Sequence, residues 1–126
     1  MRDFKQLKVW QKAHQLVLQI YRHTSSFPDQ ERFGLTAHLV KSAVSIPSNI
    51  AEGCGREGDK ELARFLSIAA GSASETEYQL LLAQDLAYLS PQSHQELDDQ
   101  VNEVKRMLNA FIQRLAEKGD QRRSPS

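Results

Sequence analysis

Leu62, Leu66, Ala69, Ala73, Thr76, Leu80, Ala83 and Ala87 follow one another at alternating intervals of four and three, without a break. That spacing gathers small and apolar side chains onto one face of an α-helix, and it is the spacing by which helices pack side by side in a bundle. The same alternation returns in Leu97, Val101, Val104, Leu108, Phe111 and Leu115. Upstream, Val9, Trp10, Ala13, Leu16, Val17, Ile20 and Tyr21 fall in one arc at about 100° per residue. Leu35, Leu39, Val40, Ala43, Val44, Ile50 and Ala51 continue a further apolar face through a proline. No pattern of period two competes with these. Four amphipathic helices on short connections predict an all-α fold, an antiparallel up-down four-helix bundle.

Punctuation sets the expected boundaries. The first helix spans about Lys5 to His23 and ends in Thr24-Ser25-Ser26-Phe27-Pro28, because Pro28 disfavours the α conformation at Phe27. Asp29-Gln30-Glu31 suits the positive first turn of the second helix, which runs to Ala51–Cys54. Pro47 lies inside it. Proline has no N–H and its ring clashes with the Ala43 carbonyl, so a kink is expected there, with the Ser45 hydroxyl turned back to the Lys41 carbonyl. Gly53, Gly55 and Gly58 mark the end, and Asp59 is the expected N-cap of a third helix over Lys60 to Leu89, stopped by Ser90-Pro91. Gly119 closes the fourth helix. The domain is therefore expected over 1–119, and the polar Asp120–Ser126 is expected to be disordered.

The chain of 126 residues fits one domain and carries sixteen basic and sixteen acidic residues. Such a balance disfavours a dedicated nucleic-acid binder unless the charges segregate by face. A lone cysteine, Cys54, suits a reducing compartment, and no stretch approaches the ~20 apolar residues of a membrane span. The expected location is the cytoplasm, with no membrane partner.

Beyond periodicity, a set of motifs runs from Phe4 to Leu89. It begins with Phe4-x-x-Leu7-x-Val9-Trp10-Gln11-x-Ala13, then Tyr21, Phe27-Pro28 and Phe33-Gly34-Leu35. It continues through Ala43-Val44-Ser45-Ile46-Pro47-Ser48-Asn49-Ile50-Ala51-Glu52-Gly53 and Arg56. It closes with Phe65-Leu66-x-Ile68-Ala69-x-Gly71-Ser72-x-x-Glu75 and Ala83-x-Asp85-Leu86. In order and spacing the chain resembles the four-helix-bundle family encoded in intervening sequences of 23S ribosomal RNA. That family is similar to the accessory proteins of diversity-generating retroelements. The resemblance implies ring-like homopentamers and no established enzymatic activity, and its link to ribosomal RNA is one of gene location.

The signature residues Ser45, Pro47, Ser48, Asn49, Glu52 and Arg56, with Ser72 and Glu75 on the third helix, admit two readings. Small side chains let two backbones approach, with Asn49, Glu52 and Arg56 satisfying one another and the carbonyl freed by Pro47. The other reading is a ligand or nucleic-acid pocket. Glu52 and Arg56, four apart with the acid first, are placed to pair on one helix.

Catalysis finds little support. His14, His23, His38 and His94 are scattered, no Glu-x-x-His pair exists, and the glycines Gly53, Gly55 and Gly58 follow no strand. Cys54, near a helix C-terminus, is expected to have a raised thiol pKa. No catalytic residue, cofactor, metal or small-molecule substrate is expected. Lys5, Lys8, Lys12 and Arg22 form a basic stripe on the first helix with no acid on that side, either a solvated face or a phosphate-binding one. Leu7, Leu18, Ala63, Ala70, Leu81 and Tyr88 lie off the core seams and are the expected subunit contacts of a homo-oligomer, a pentamer by preference. Two classes of function stay open. One is an oligomeric scaffold for structured RNA or a reverse-transcriptase-like partner. The other is a structural protein–protein module.

Overall fold

The computed structural model describes the backbone of residues 2–123 and the side chains of residues 2–119. Four α-helices make up the described chain: α1 Lys8–Thr24, α2 Leu35–Cys54, α3 Asp59–Asp85 and α4 Pro91–Arg123. Short 3-10 turns, Phe4–Gln6 and Asp29–Glu31, precede α1 and α2. Each helix packs on its neighbours in the chain and α4 returns to α1, while among the described residues no Cα atoms of the diagonal pairs come within 8 Å. That is the square cross-section of a four-helix bundle. The Arg2 amide bonds the Cys54 carbonyl at one end, and Tyr88 reaches Glu31 at the other.

The four-three seams form the interior. Leu62, Leu66, Ala69, Ala73, Thr76, Leu80 and Ala83 of α3 are buried, as are all six seam residues of α4. Leu16 and Ile20 of α1 and Leu39, Ile46 and Ile50 of α2 complete the centre. Each such aliphatic side chain contributes roughly 1.5–3 kcal/mol by leaving water. Two aromatic residues of the α1 arc depart from expectation. Tyr21 is 54% exposed, and Trp10 lies at the edge, stacked on His14 and edge-on to Phe4.

Pro47 does not end α2, which runs on to Cys54. The Ser45 hydroxyl does not turn back to Lys41; it crosses to the Ser72 hydroxyl of α3 at 2.8 Å. Several boundaries moved for identifiable reasons. At the end of α1, Thr24, Ser25 and Ser26 donate their hydroxyls to the carbonyls of Ile20, Arg22 and His23, groups with few helical partners left. Asp29–Glu31 is not the first turn of α2. Glu31 stands before it and accepts from the Leu35 amide at 3.2 Å, capping the helix from outside. Gly58, not Asp59, is the N-cap position of α3, and Asp59 opens the first turn.

Helix α3 stops at Asp85 rather than Leu89. Ala87 takes a left-handed φ of 65°, while its amide bonds Gln84 and the Tyr88 amide bonds Ala83. This is the Schellman arrangement, here without its usual glycine. Ser90-Pro91, expected as a stop, starts α4: the Ser90 hydroxyl accepts from the Ser93 amide at 3.0 Å and Pro91 is the first helical residue. Helix α4 continues through Gly119 to Arg123, past the end expected at Gly119. Residues 124–126 lie outside the described residues.

Candidate nucleic-acid interface

Up-down topology gathers the start of α1, the end of α2, the start of α3 and the end of α4 at one end of the bundle. Divided near the middle of each helix, that half (residues 2–16, 45–72 and 107–119) carries nine basic and six acidic residues. The opposite half (17–44 and 73–106) carries five basic and nine acidic ones. The neutral total therefore hides a dipolar molecule, which supplies the segregation a neutral binder of phosphate needs.

At the basic end a groove of about 440 Å³ opens between α1 and α4. Leu7, Met107 and Phe111 form its floor, and Arg2, Lys8, Arg114 and Lys118 stand around it. The arginines lie against the same ring, with guanidinium carbons 5.6 Å (Arg2) and 5.4 Å (Arg114) from the Phe111 centroid. Asp59 tempers two of the cations, at 3.8 Å from Arg2 and 3.4 Å from Lys118. Lys8 and Arg114 form no ion pair within the described residues. Such cations, held by a helix and a ring, suit a phosphate backbone; Phe111 is itself buried and offers no stacking platform to a base.

The basic stripe expected on α1 is divided by this geometry. Lys5 sits in the 3-10 turn ahead of the helix, its ammonium 5.9 Å from the Phe4 centroid. Lys8 faces the groove. Lys12 pairs with Glu103 at 3.2 Å, an acid contributed by α4 that a reading of one helix does not see. Arg22 lies ~21 Å along the axis from Lys8, at the acidic end. Reading the sequence for one stripe missed Arg2, Arg114 and Lys118. The last two are four apart on α4 and share a face, a signal that was there to be read.

The signature residues divide as well. Ser45, Ser72 and Asn49 come together: the Asn49 amide donates to the Ser45 carbonyl at 2.8 Å and to its hydroxyl at 2.9 Å. Asn49 therefore serves Ser45 and not the carbonyl freed by Pro47 or the side chain of Glu52. Glu52 and Arg56 pair separately, at 3.0 Å, with the Arg56 guanidinium over Phe65. Pro47 is buried, Ser48 is exposed, and Glu75 stands at the rim of a second groove between α2 and α3. Beneath that rim Ser42 bonds Thr76 and Gln79, at 2.9 and 2.6 Å, an interhelical network no motif announced. Close approach is evident at Gly53, where an added Cβ would stand 2.8 Å from the Cβ of Phe65.

Among the expected subunit contacts, Leu7, Ala63, Ala70 and Tyr88 are spent partly on their own core. Tyr88 packs on Phe27 and donates to Glu31 at 2.8 Å, which holds its phenol pKa above the usual value. Leu18 and Leu81 remain exposed, at 46% each. Larger apolar exposure occurs at residues not anticipated, Phe33 at 85% and Tyr78 at 61%.

Burial, ahead of any effect of the helix end, pushes the Cys54 thiol up, which works against a thiolate nucleophile. No three His, Cys, Asp or Glu side chains among the described residues are grouped to hold a metal ion. No helix among them is long and apolar enough to cross a membrane.

A family model described as 23S rRNA-intervening sequence protein matches residues 5–110. Among solved structures, the chain is similar to a protein of unknown function from the S23 ribosomal protein family of Bacteroides thetaiotaomicron. The two are 24% identical with a TM-score of 0.77, over 83% of this chain and 95% of the other. No curated protein matches the sequence.

Proposed function

The chain belongs to the 23S rRNA-intervening sequence protein family, and from that premise we propose that it is a non-enzymatic oligomeric scaffold whose basic end binds structured RNA through the phosphate backbone. The observation that carries this reading is the pair of cations without carboxylate partners among the described residues, Lys8 and Arg114, beside Arg2 and Lys118 at the mouth of one groove. Lys5 extends the same surface; Lys12 and Arg22 do not. We set this activity in the cytoplasm.

Two to four phosphate contacts per subunit are too few for tight binding, so the scaffold works by repetition, as a homo-oligomer and by preference a pentamer. Leu18 and Leu81, with the more exposed Phe33 and Tyr78, supply the apolar surface for subunit contact. Light scattering should report a multiple of 14.3 kDa; a single subunit mass at all concentrations would refute the oligomer.

RNA binding is tested by fluorescence anisotropy with a structured RNA at two salt concentrations. Each neutralised phosphate releases counterions, so two contacts predict a loss of about tenfold in affinity between roughly 50 and 200 mM salt, and four about a hundredfold. Binding that ignores salt would remove the proposal. The exposed Phe33 and Tyr78 also favour a second reading, a module whose partner is a protein, such as a nucleic-acid-processing enzyme of the reverse-transcriptase type. In that case RNA alone does not bind and the apolar surface, not the basic end, carries the contact.

A further inference from the structure

From Phe4 to Pro28 the chain contains no acidic residue, and at its start cations and aromatic rings interleave as Phe4, Lys5, Lys8, Trp10, Lys12 and His14. The structure sorts these onto two sides of α1. Lys8 faces the groove shared with α4. At 100° per residue, Trp10 and His14 lie roughly 120–160° round the helix from it.

On that second side the rings form a ladder. Phe4 meets Trp10 edge to face with centroids 5.0 Å apart, and His14 lies on Trp10 at 5.0 Å, within 7° of parallel. The Lys5 ammonium stands 5.9 Å from the Phe4 centroid and joins no ion pair among the described residues. The turn that carries Phe4 and Lys5 is fixed at both ends. Asp3 accepts from the Lys5 amide at 3.1 Å, and the Gln11 side chain donates to the Lys5 carbonyl at 2.9 Å. Phe4 and Trp10 are half-buried against the core, whereas His14 is exposed. Its one ring partner among the described residues is Trp10, so the opposite face of the imidazole is left to solvent.

A planar ring held flat, open on one face and set beside unpaired cations, has the form of a surface on which a nucleobase stacks. Contact with Trp10 has already cost His14 its rotamer freedom, so a base meets a ring that is ordered in advance. We infer that the open face of His14 stacks an unpaired base of the RNA whose phosphates are held at the basic end, with Lys5 on the adjoining phosphate. The inference rests on that reading of the basic end. It narrows the partner from structured RNA in general to RNA with an unpaired nucleotide beside a helical stem, because paired bases stay stacked on one another and do not reach the ring.

Trp10 is the single tryptophan of the chain and reports on this surface by its fluorescence. Two hairpin RNAs with the same stem test the inference, one with an unpaired adenine loop and one whose loop nucleotides are abasic. Their phosphates are equal in number. The intact hairpin should quench Trp10 and bind about fivefold or more tightly than the abasic one. Each affinity should fall with salt while their ratio holds, since stacking a base releases no counterions. His14→Leu keeps bulk over Trp10 but loses the ring, and it should bring the intact hairpin down to the affinity of the abasic one. His14→Phe should restore the preference. The position is exposed, so circular dichroism should show both variants folded. Equal affinities of the wild type for the two hairpins, or a preference that survives His14→Leu, would overturn the inference and leave phosphate binding at the basic end standing. Failure of either hairpin to bind the wild type would remove both.

Discussion

Between α2 and α3 the polar side chains turn inward and bond one another. Ser42 meets Thr76 and Gln79, Ser45 meets Ser72 and Asn49, and at Gly53 the helices come close enough to exclude a side chain. Between α1 and α4 the interior is apolar, and the charges stand at the rim, where Lys8 and Arg114 have no acid to answer them among the described residues. A polar group already satisfied inside the protein specifies the fold, while one left unsatisfied at a rim is available to something else. The family signature lies on the first seam. The cations proposed to bind RNA lie on the second, where no recognisable motif marks them.

The sharpest way to break this contrast is to overfill the α2–α3 seam. Gly53→Val puts a branched side chain where even a Cβ stands 2.8 Å from Phe65 and 3.1 Å from Leu62. It should cost about 3 kcal/mol in chemical denaturation. Ser42→Ala comes next. It strips Gln79 and Thr76 of a buried partner and should cost about 2 kcal/mol; a neutral result would mean that water replaces the hydroxyl and the network is not structural.

Outside both seams, Ala87→Gly removes the strain of a left-handed alanine at φ 65°. The thermal midpoint should rise, for a gain of about 1 kcal/mol. The smallest effects belong to ion pairs. Glu103→Gln, which releases Lys12 on the α1–α4 rim, should change stability by less than about 1 kcal/mol. Glu77, on α3, accepts from Lys105 of α4 at 2.7 Å, and this contact holds its carboxyl below the usual range. Because its folded pKa lies below the unfolded value near 4.3, the contribution is present above about pH 4.3 and fades as the pH falls through the folded value. Glu77→Gln should flatten the acid limb of a stability–pH curve by a few tenths of a kcal/mol and leave stability in that limb otherwise unchanged.

What could be read from residues alone was what repeats. The four-three alternation foretold every buried seam position of α4 and those of α3 as far as Ala83, because helix period and burial face are one property. Ends were harder, since the groups that end a helix lie off its pattern. Glu31 caps α2 across four residues, and Ala87 reverses the chain without the glycine that would have announced it. Gly119, read as a stop, is tolerated inside α4, where the cost of one glycine, about 1 kcal/mol, falls on a single turn. Site residues were legible only within one helix. Lys8 could be placed on a face, but Glu103 beside Lys12 and Arg2 beside Phe111 are joined by tertiary packing alone. Likewise the pairing of Glu52 with Arg56 was readable from spacing, whereas the bond from Ser45 to Ser72 was not.

The central claim is that RNA binds at the basic end and not along the length of α1. Lys8→Glu/Arg114→Glu should be compared with Arg22→Glu/Lys41→Glu by the slope of RNA affinity against salt. Both variants change the net charge by the same amount at exposed positions, so nonspecific electrostatics alters both alike. The account predicts that the first variant loses about tenfold or more in affinity and shows a shallower slope, while the second retains the wild-type slope. Equal losses in the two variants, or none in the first, would contradict it.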